Sequence, residues 1–194
     1  MLHLVPSLQF SISYTTRKPR AGETMDRDYT FVSPQEFQAM IEHDEFLEWA
    51  EVHGERYGTS KARLEAITDS GIDVLLDVDT QGALQIRKKC REGLYIFILP
   101  PSFDALKSRL KKRMTDSPDE VDRRLRAALA EIKMYEHYDY VIINDIFEDA
   151  LRELESILIA RRATVGNIDP LWVREQFFTQ EEKHHGNHLA SDRV

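Results

Sequence analysis

The stretch Ser13-Tyr14-Thr15-Thr16-Arg17-Lys18-Pro19-Arg20-Ala21-Gly22-Glu23 sets two arginines three residues apart, stiffened by Pro19 and preceded by hydroxyls. A planar guanidinium fork grips phosphate through paired N–H groups, whereas lysine brings the charge without the fork. An ordinary basic turn fits the same residues equally well. Farther on, Glu48-Trp49-Ala50-Glu51 and Tyr57-Gly58-Thr59 alternate polar and aromatic groups, as a strand does when one face lines a cleft. A carboxylate in such a cleft can accept from the N1–H and amino group of guanine, a pair that adenine does not offer. Phenol hydroxyls suit phosphate oxygens. Asp77 and Asp79 stand two apart where an apolar run ends, and open α/β sheets bind ligands at the carboxyl ends of their strands. Same-side carboxylates there suit Mg²⁺-bound phosphate or a base amino group. Capping the next helix is the plainer role, better suited to Asp79 than to Asp77.

Charge is uneven. Eight basic residues (Lys107, Arg109, Lys111, Lys112, Arg113, Arg123, Arg124 and Arg126) fall within 20 positions that hold four acids, and Arg17, Lys18 and Arg20 form a second island. Solvated helix faces account for such runs as readily as convergence on phosphate does.

The elements that must position these residues are readable from pattern. Apolar runs at Val74–Asp79, Leu94–Leu99 and Tyr140–Ile143 predict strands covered by helices on both faces. Ser33-Pro34-Gln35-Glu36 and Ser117-Pro118-Asp119-Glu120 each combine a Ser N-cap, a first-turn Pro and a capping-box Glu. Further helices are predicted over about 80–89, from about Ser102, and over about 148–162. Gln9 to Thr15, Asp28–Val32 and Phe46–Val52 read as strands around the helix that follows Ser33, a small mixed sub-domain set into a largely parallel α/β core. Beyond Arg162 the chain turns polar. The tail from Glu181, with His184, His185 and His188, is expected to fray, and nothing gives those histidines a rigid metal geometry.

Composition bounds the classes. The 194 residues suit one compact domain with aliphatics and aromatics throughout, which argues against disorder. The longest apolar stretch, Leu94 to Pro101, is far short of the ~20 residues a membrane helix needs. His3 and Pro6 interrupt a start with no Lys or Arg before Arg17, so no signal peptide is predicted. One cysteine excludes a disulfide framework and points to the cytoplasm. A net charge of −8 argues against non-specific nucleic-acid binding but allows a local site for a small anion.

From Ser11 to about Leu158, roughly three-quarters of the chain, the sequence resembles the guanylate kinase family. The segments that carry the resemblance are Ser-Tyr-Thr-Thr-Arg-Lys-Pro-Arg-Ala-Gly-Glu, Asp-Tyr-Thr-Phe-Val-Ser, Glu-Phe-Leu-Glu-Trp-Ala-Glu-Val-His-Gly and Tyr-Gly-Thr. They continue with Leu-Leu-Asp-Val-Asp-Thr-Gln-Gly-Ala, Ile-Leu-Pro-Pro-Ser and Val-Ile-Ile-Asn-Asp. The resemblance implies a P-loop-kinase-like parallel sheet flanked by helices and the transfer of a phosphoryl group from ATP, with Mg²⁺, to GMP. It implies a domain over 1–162, with a GMP-binding sub-domain at about 9–60 and a helical lid at about 107–126, and a C-terminal extension over 163–194. It assigns the GMP phosphate to Ser13, Arg17, Arg20 and Tyr29 with Tyr57 beside them, and the guanine base to Glu48, Thr59 and Asp79. Asp77 falls near Mg²⁺ and phosphate, with no direct protein ligand to the metal assigned. Arg17 and the lid residues Arg109, Arg113 and Arg124 fall at the transferring group, and Asn144 on the adenine side.

Two departures stand out. The family commonly has Gly-Arg-Gly around the second lid arginine, where this chain has Lys112-Arg113-Met114, a stiffer loop. The second is larger: none of the eight glycines precedes a lysine, so the chain has no Gly-x-x-x-x-Gly-Lys-Ser/Thr. Met1–Pro6 reads as the end of the helix that would follow such a loop. The first strand and the P-loop are thus expected to be absent, through translation from an internal Met, leaving phosphoryl transfer weak or lost. The alternative is a non-catalytic module of the scaffold kind, binding GMP or a phosphopeptide.

Overall fold

The computed structural model describes residues 4–52, 54–112 and 118–178. In chain order the elements are β1 (Leu8–Phe10), β2 (Tyr14–Thr15), β3 (Thr30–Phe31), α1 (Pro34–Glu42), β4 (Phe46–Val52), β5 (Glu55–Ser60), α2 (Lys61–Thr68) and β6 (Asp73–Leu75). They continue with α3 (Thr80–Lys89), β7 (Ile96–Leu99), α4 (Phe103–Lys112), α5 (Pro118–Ile132), β8 (Tyr140–Ile143), α6 (Phe147–Arg162) and α7 (Pro170–Val173). The chain divides into two compact units, Met1–Leu151 and Arg152–Val194.

The first unit holds a four-stranded mixed sheet in the order β3-β2-β5-β4. Strands β4 and β5 form a hairpin in which Val52 faces Glu55, and Gly54 takes the positive φ (+81°) that so tight a connection requires. The register slips between Phe46 and Glu48: Phe46 faces Ser60, but Glu48, rather than Leu47, faces Thr59. This bulge sets the site described below. Where the sequence predicts one strand from Gln9 to Thr15, the chain forms two, because its halves join different sheets. β1 runs parallel to β6, and β2 lies between β3 and β5.

Outside the mixed sheet, where β2 and β3 also run parallel, the parallel strands form two separate pairs, β1–β6 and β7–β8. This corrects the expectation of strands covered on both faces: Ile98, Tyr140, Val141 and Ile143 are all exposed. The strand predicted over Val74–Asp79 shortens to Asp73–Leu75 for a related reason. β1 is its one partner among the described residues, and Asp77–Asp79 leave the ladder to follow the cavity wall.

Phe37 of α1 is fully buried and stacks on Phe46, with ring centroids 4.5 Å apart. Leu47, Ile86 and Tyr95 form a second cluster with Leu64, Leu76, Val78 and Tyr138 around them, and this seats α3 against β4. The start of α1 is the one its sequence predicts. The Ser33 hydroxyl accepts from Glu36 N–H, and the Glu36 carboxylate accepts from Ser33 N–H. Ser33→Ala is expected to lower stability by about 1 kcal/mol, read as a shift in urea midpoint at unchanged slope. An unshifted midpoint would show that the cap contributes nothing. The predicted cap Ser117 lies outside the described residues, as do Met1–His3 of the predicted helix end; residues 4–7 form a turn.

The second unit contains most of α6, a 3-10 turn (Val165–Asn167), α7 and a π-helical turn (Arg174–Phe178). Here the expectation of a patternless polar stretch is corrected, since helical turns continue to Phe178 and carry exposed Leu171, Trp172, Phe177 and Phe178. No helix among the described residues is long and apolar enough to cross a membrane.

Candidate active site

Glu48 is the anomaly from which the site is built. A carboxylate on the inward face of a strand is costly to bury unless it is hydrogen-bonded, yet Glu48 is only 4% exposed. The bulge at Leu47 brings it opposite Thr59 of β5, and the Thr59 hydroxyl donates to Glu48 Oε1 at 2.6 Å. Burial pushes the Glu48 carboxyl above the usual carboxylate range. The Thr59 bonds and Lys89 pull the other way, and the nearby charge of Asp79 adds to the rise. Asp79 is the N-cap of α3: its Oδ1 accepts from Gly82 N–H at 2.7 Å, leaving Oδ2 for another donor. The capping role that the sequence allowed for Asp79 is therefore real, and it fixes this carboxylate beside Glu48.

Tyr57 lies two residues along β5 from Thr59, about 7 Å by strand rise, and its ring meets that of Tyr29 edge-on at 6.0 Å. Tyr29 lies in turn under the Arg17 guanidinium, 5.2 Å from its ring centroid. Arg17 is not a free fork. Its Nη1 and Nη2 donate to the two oxygens of Glu23 at 3.0 and 2.8 Å, and Nη1 also donates to Lys18 C=O. Glu23 is folded back by a turn over Arg20–Glu23, with Gly22 at φ +91°, a left-handed position that suits glycine. The same carboxylate accepts from Arg20 N–H at 2.7 Å. Arg17, with Arg20 N–H assisting, holds Glu23 below the usual carboxylate range, and Glu23 raises the already high pKa of Arg17. Arg20 itself is exposed.

A cavity of about 360 Å³ runs between these groups, lined by Ser13, Tyr29, Glu48, Tyr57, Asp77 and Asp79, all named from sequence. Thr59 stands behind Glu48, and Arg17 behind Tyr29. Asp77 is exposed at the cavity wall, past the end of β6. The remaining predicted residues are not in the cavity wall. Arg109 of α4 donates to Asn144 C=O at 2.7 Å, tying α4 to the loop after β8. Arg124 is half-buried in α5, and Arg113 lies outside the described residues.

Sequence reasoning missed Phe10, Asp28, Ala50, Val52 and Val78 in the cavity wall. Ala50 and Val52 were findable, since they follow Glu48 at two-residue spacing on one face of β4. It also missed Arg63, whose Nη1 and Nη2 donate to Thr30 Oγ1 and Asp26 Oδ1 and which covers the Tyr14 ring at 4.6 Å. No local signal marks that long-range brace.

A paired-carboxylate pocket and an arginine–phenol cluster thus share a cavity on the mixed sheet, beside two pairs of parallel strands. The chain matches the family model for guanylate kinase over residues 3–161. It is 49% identical over 162 residues to the guanylate kinase of Geobacter metallireducens, spanning 84% of this chain and 80% of that protein. It is 50% identical over 166 residues to the guanylate kinase of Dechloromonas aromatica, spanning 86% and 82%. Its structure is similar to the crystal structure of guanylate kinase from Anaplasma phagocytophilum, with a TM-score of 0.76 and 35% identity over 91% of this chain and 88% of that one. The chain belongs to the guanylate kinase family.

Proposed function

We propose that the cavity is the GMP acceptor site of an ATP-dependent guanylate kinase. Ser13, Arg17, Arg20, Tyr29 and Tyr57 hold the phosphate, and Glu48, Thr59 and Asp79 read the base. The observation that carries this reading is the Glu48–Thr59–Asp79 constellation. Two carboxylates held together at one end of a cavity match adjacent N–H donors, which guanine has on one edge. Thr59 orients Glu48 so that Oε2 faces away from the hydroxyl, and the α3 cap leaves Asp79 Oδ2 to accept.

In the reaction a GMP phosphate oxygen attacks the γ-phosphorus of ATP. The bond from that phosphorus to the β–γ bridging oxygen breaks, and ADP departs with the electron pair. Arg17, stacked on Tyr29 and held by Glu23, is oriented before substrate arrives, and such positioning with charge stabilisation is most of what phosphoryl transfer requires. Arg109, Arg113 and Arg124 supply charge at the transferring group, and Asn144 borders the adenine. Bound with ATP, Mg²⁺ would neutralise phosphate charge. Asp77, an exposed hard-oxygen donor at the cavity wall, would lie near it. The setting for this reaction is the cytoplasm, in keeping with a lone cysteine, Cys90.

The test is calorimetric titration of the 194-residue chain with GMP and AMP. GMP is expected to bind at least about tenfold more tightly, because adenine leaves buried carboxylate oxygens unpaired. Equal affinities would sink the assignment of this end of the cavity to guanine.

A further inference from the structure

Gly82 stands at the third position of α3, and its backbone is ordinary helix: the glycines with positive φ among the described residues are Gly22, Gly54 and Gly71. No turn or cap therefore requires glycine there, and glycine in a helix is about 1 kcal/mol worse than alanine. What the position does require is space. A Cβ built on Gly82 would lie 2.8 Å from Glu48 Oε2, 3.3 Å from Glu48 Cδ and 3.2 Å from Asp79 Oδ1. Both carboxylates close on the bare Cα, and the Gly82 N–H is the donor that fixes one of them.

We propose that Gly82 is a specificity-positioning residue: its missing side chain is the space in which the Glu48 and Asp79 carboxylates converge on a guanine base. This rests on the reading of Glu48 as the base acceptor. An added methyl cannot be absorbed by the α3 backbone, because α3 is held to β4 through the Leu47–Ile86 packing and the Gln85 bonds to Trp49. The part that yields is the end of the Glu48 side chain, which is free to swing only by leaving Thr59. The fold accommodates the change, and the acceptor geometry is lost.

A structural role and a positioning role therefore predict different outcomes. Gly82→Ala, made in the full chain, is expected to leave Tm unchanged or raise it through helix propensity. It should weaken GMP about tenfold or more while changing AMP affinity less than about twofold. Glu48→Ala removes the nearer of the two carboxylates, the one that must yield to an added methyl, so adding Gly82→Ala to it should change GMP affinity by less than about twofold. The proposal is overturned by GMP affinity unaffected by Gly82→Ala while Glu48→Ala weakens it, or by losses that simply multiply in the double variant. A lowered Tm with equal losses for GMP and AMP assigns Gly82 to packing and also overturns it. If Glu48→Ala itself leaves GMP affinity unchanged, the base-reading role of Glu48 is what fails, and the positioning role falls with it.

Discussion

Purified as these 194 residues, the protein is expected to transfer phosphoryl from ATP to GMP at least about 10³-fold more slowly than a version preceded by a strand and a Gly-x-x-x-x-Gly-Lys-Ser/Thr loop. The proposed acceptor site is organised without substrate. Arg17 is clamped by Glu23 and lies over Tyr29, which Tyr57 meets edge-on. The donor half needs backbone N–H groups, a lysine and a hydroxyl to align the β- and γ-phosphates, and no glycine in this chain precedes a lysine. Losing one preorganised donor costs about 2.7–4 kcal/mol of barrier, and here several are lacking together with a cation. Misalignment of the reacting oxygen and phosphorus adds to the loss. A coupled ADP-release assay with GMP decides it. Comparable turnover by the two versions would mean that other residues of this chain hold the ATP phosphates.

Glu48→Gln should weaken GMP binding by about 1–3 kcal/mol, roughly 5- to 150-fold, and AMP binding far less. The change is nearly isosteric, so the room beside Gly82 is kept and the Thr59 hydroxyl can still donate to the amide oxygen. What changes is that an amide NH₂ replaces an acceptor in front of guanine N–H groups. The pH dependence provides a second readout. Burial raises the Glu48 carboxyl above the usual range, and it must be ionised to accept from guanine. GMP affinity should therefore fall as pH drops through that raised value, at less acidic pH than an ordinary carboxylate would give. For folding without ligand the sign is opposite: a raised native pKa contributes stability that is full below the unfolded-state value and is lost as pH rises through the native one. In Glu48→Gln both limbs should vanish. An acid limb that persists in the variant would assign the titration to another group.

Much of this protein is written locally. Ser33, Pro34 and Glu36 specify the start of α1 because a cap is satisfied within one turn of chain. The strand over Phe46–Val52 follows from two-residue alternation, and the start of the helix over Thr80–Lys89 from its acidic cap. The residue types of the site were legible for the same reason: guanidinium, phenol and carboxylate groups have distinct chemistry whatever surrounds them. The resemblance supplied their order. What only the tertiary structure decided is how those groups face each other. The bulge at Leu47 that sets Glu48 on Thr59 is a matter of register between two strands, and register depends on the pairing of residues eleven apart in the chain. The closing of Glu23 on Arg17 depends on a turn at Gly22, and the meaning of Gly82 on a carboxylate from another element. The exposure of Tyr140, Val141 and Ile143 on β8 depends on what packs on the faces of that strand. Periodicity records which face of an element is apolar, but not what packs on that face or whether anything does. Those are contacts between distant residues, and their energies exist only once the chain has folded.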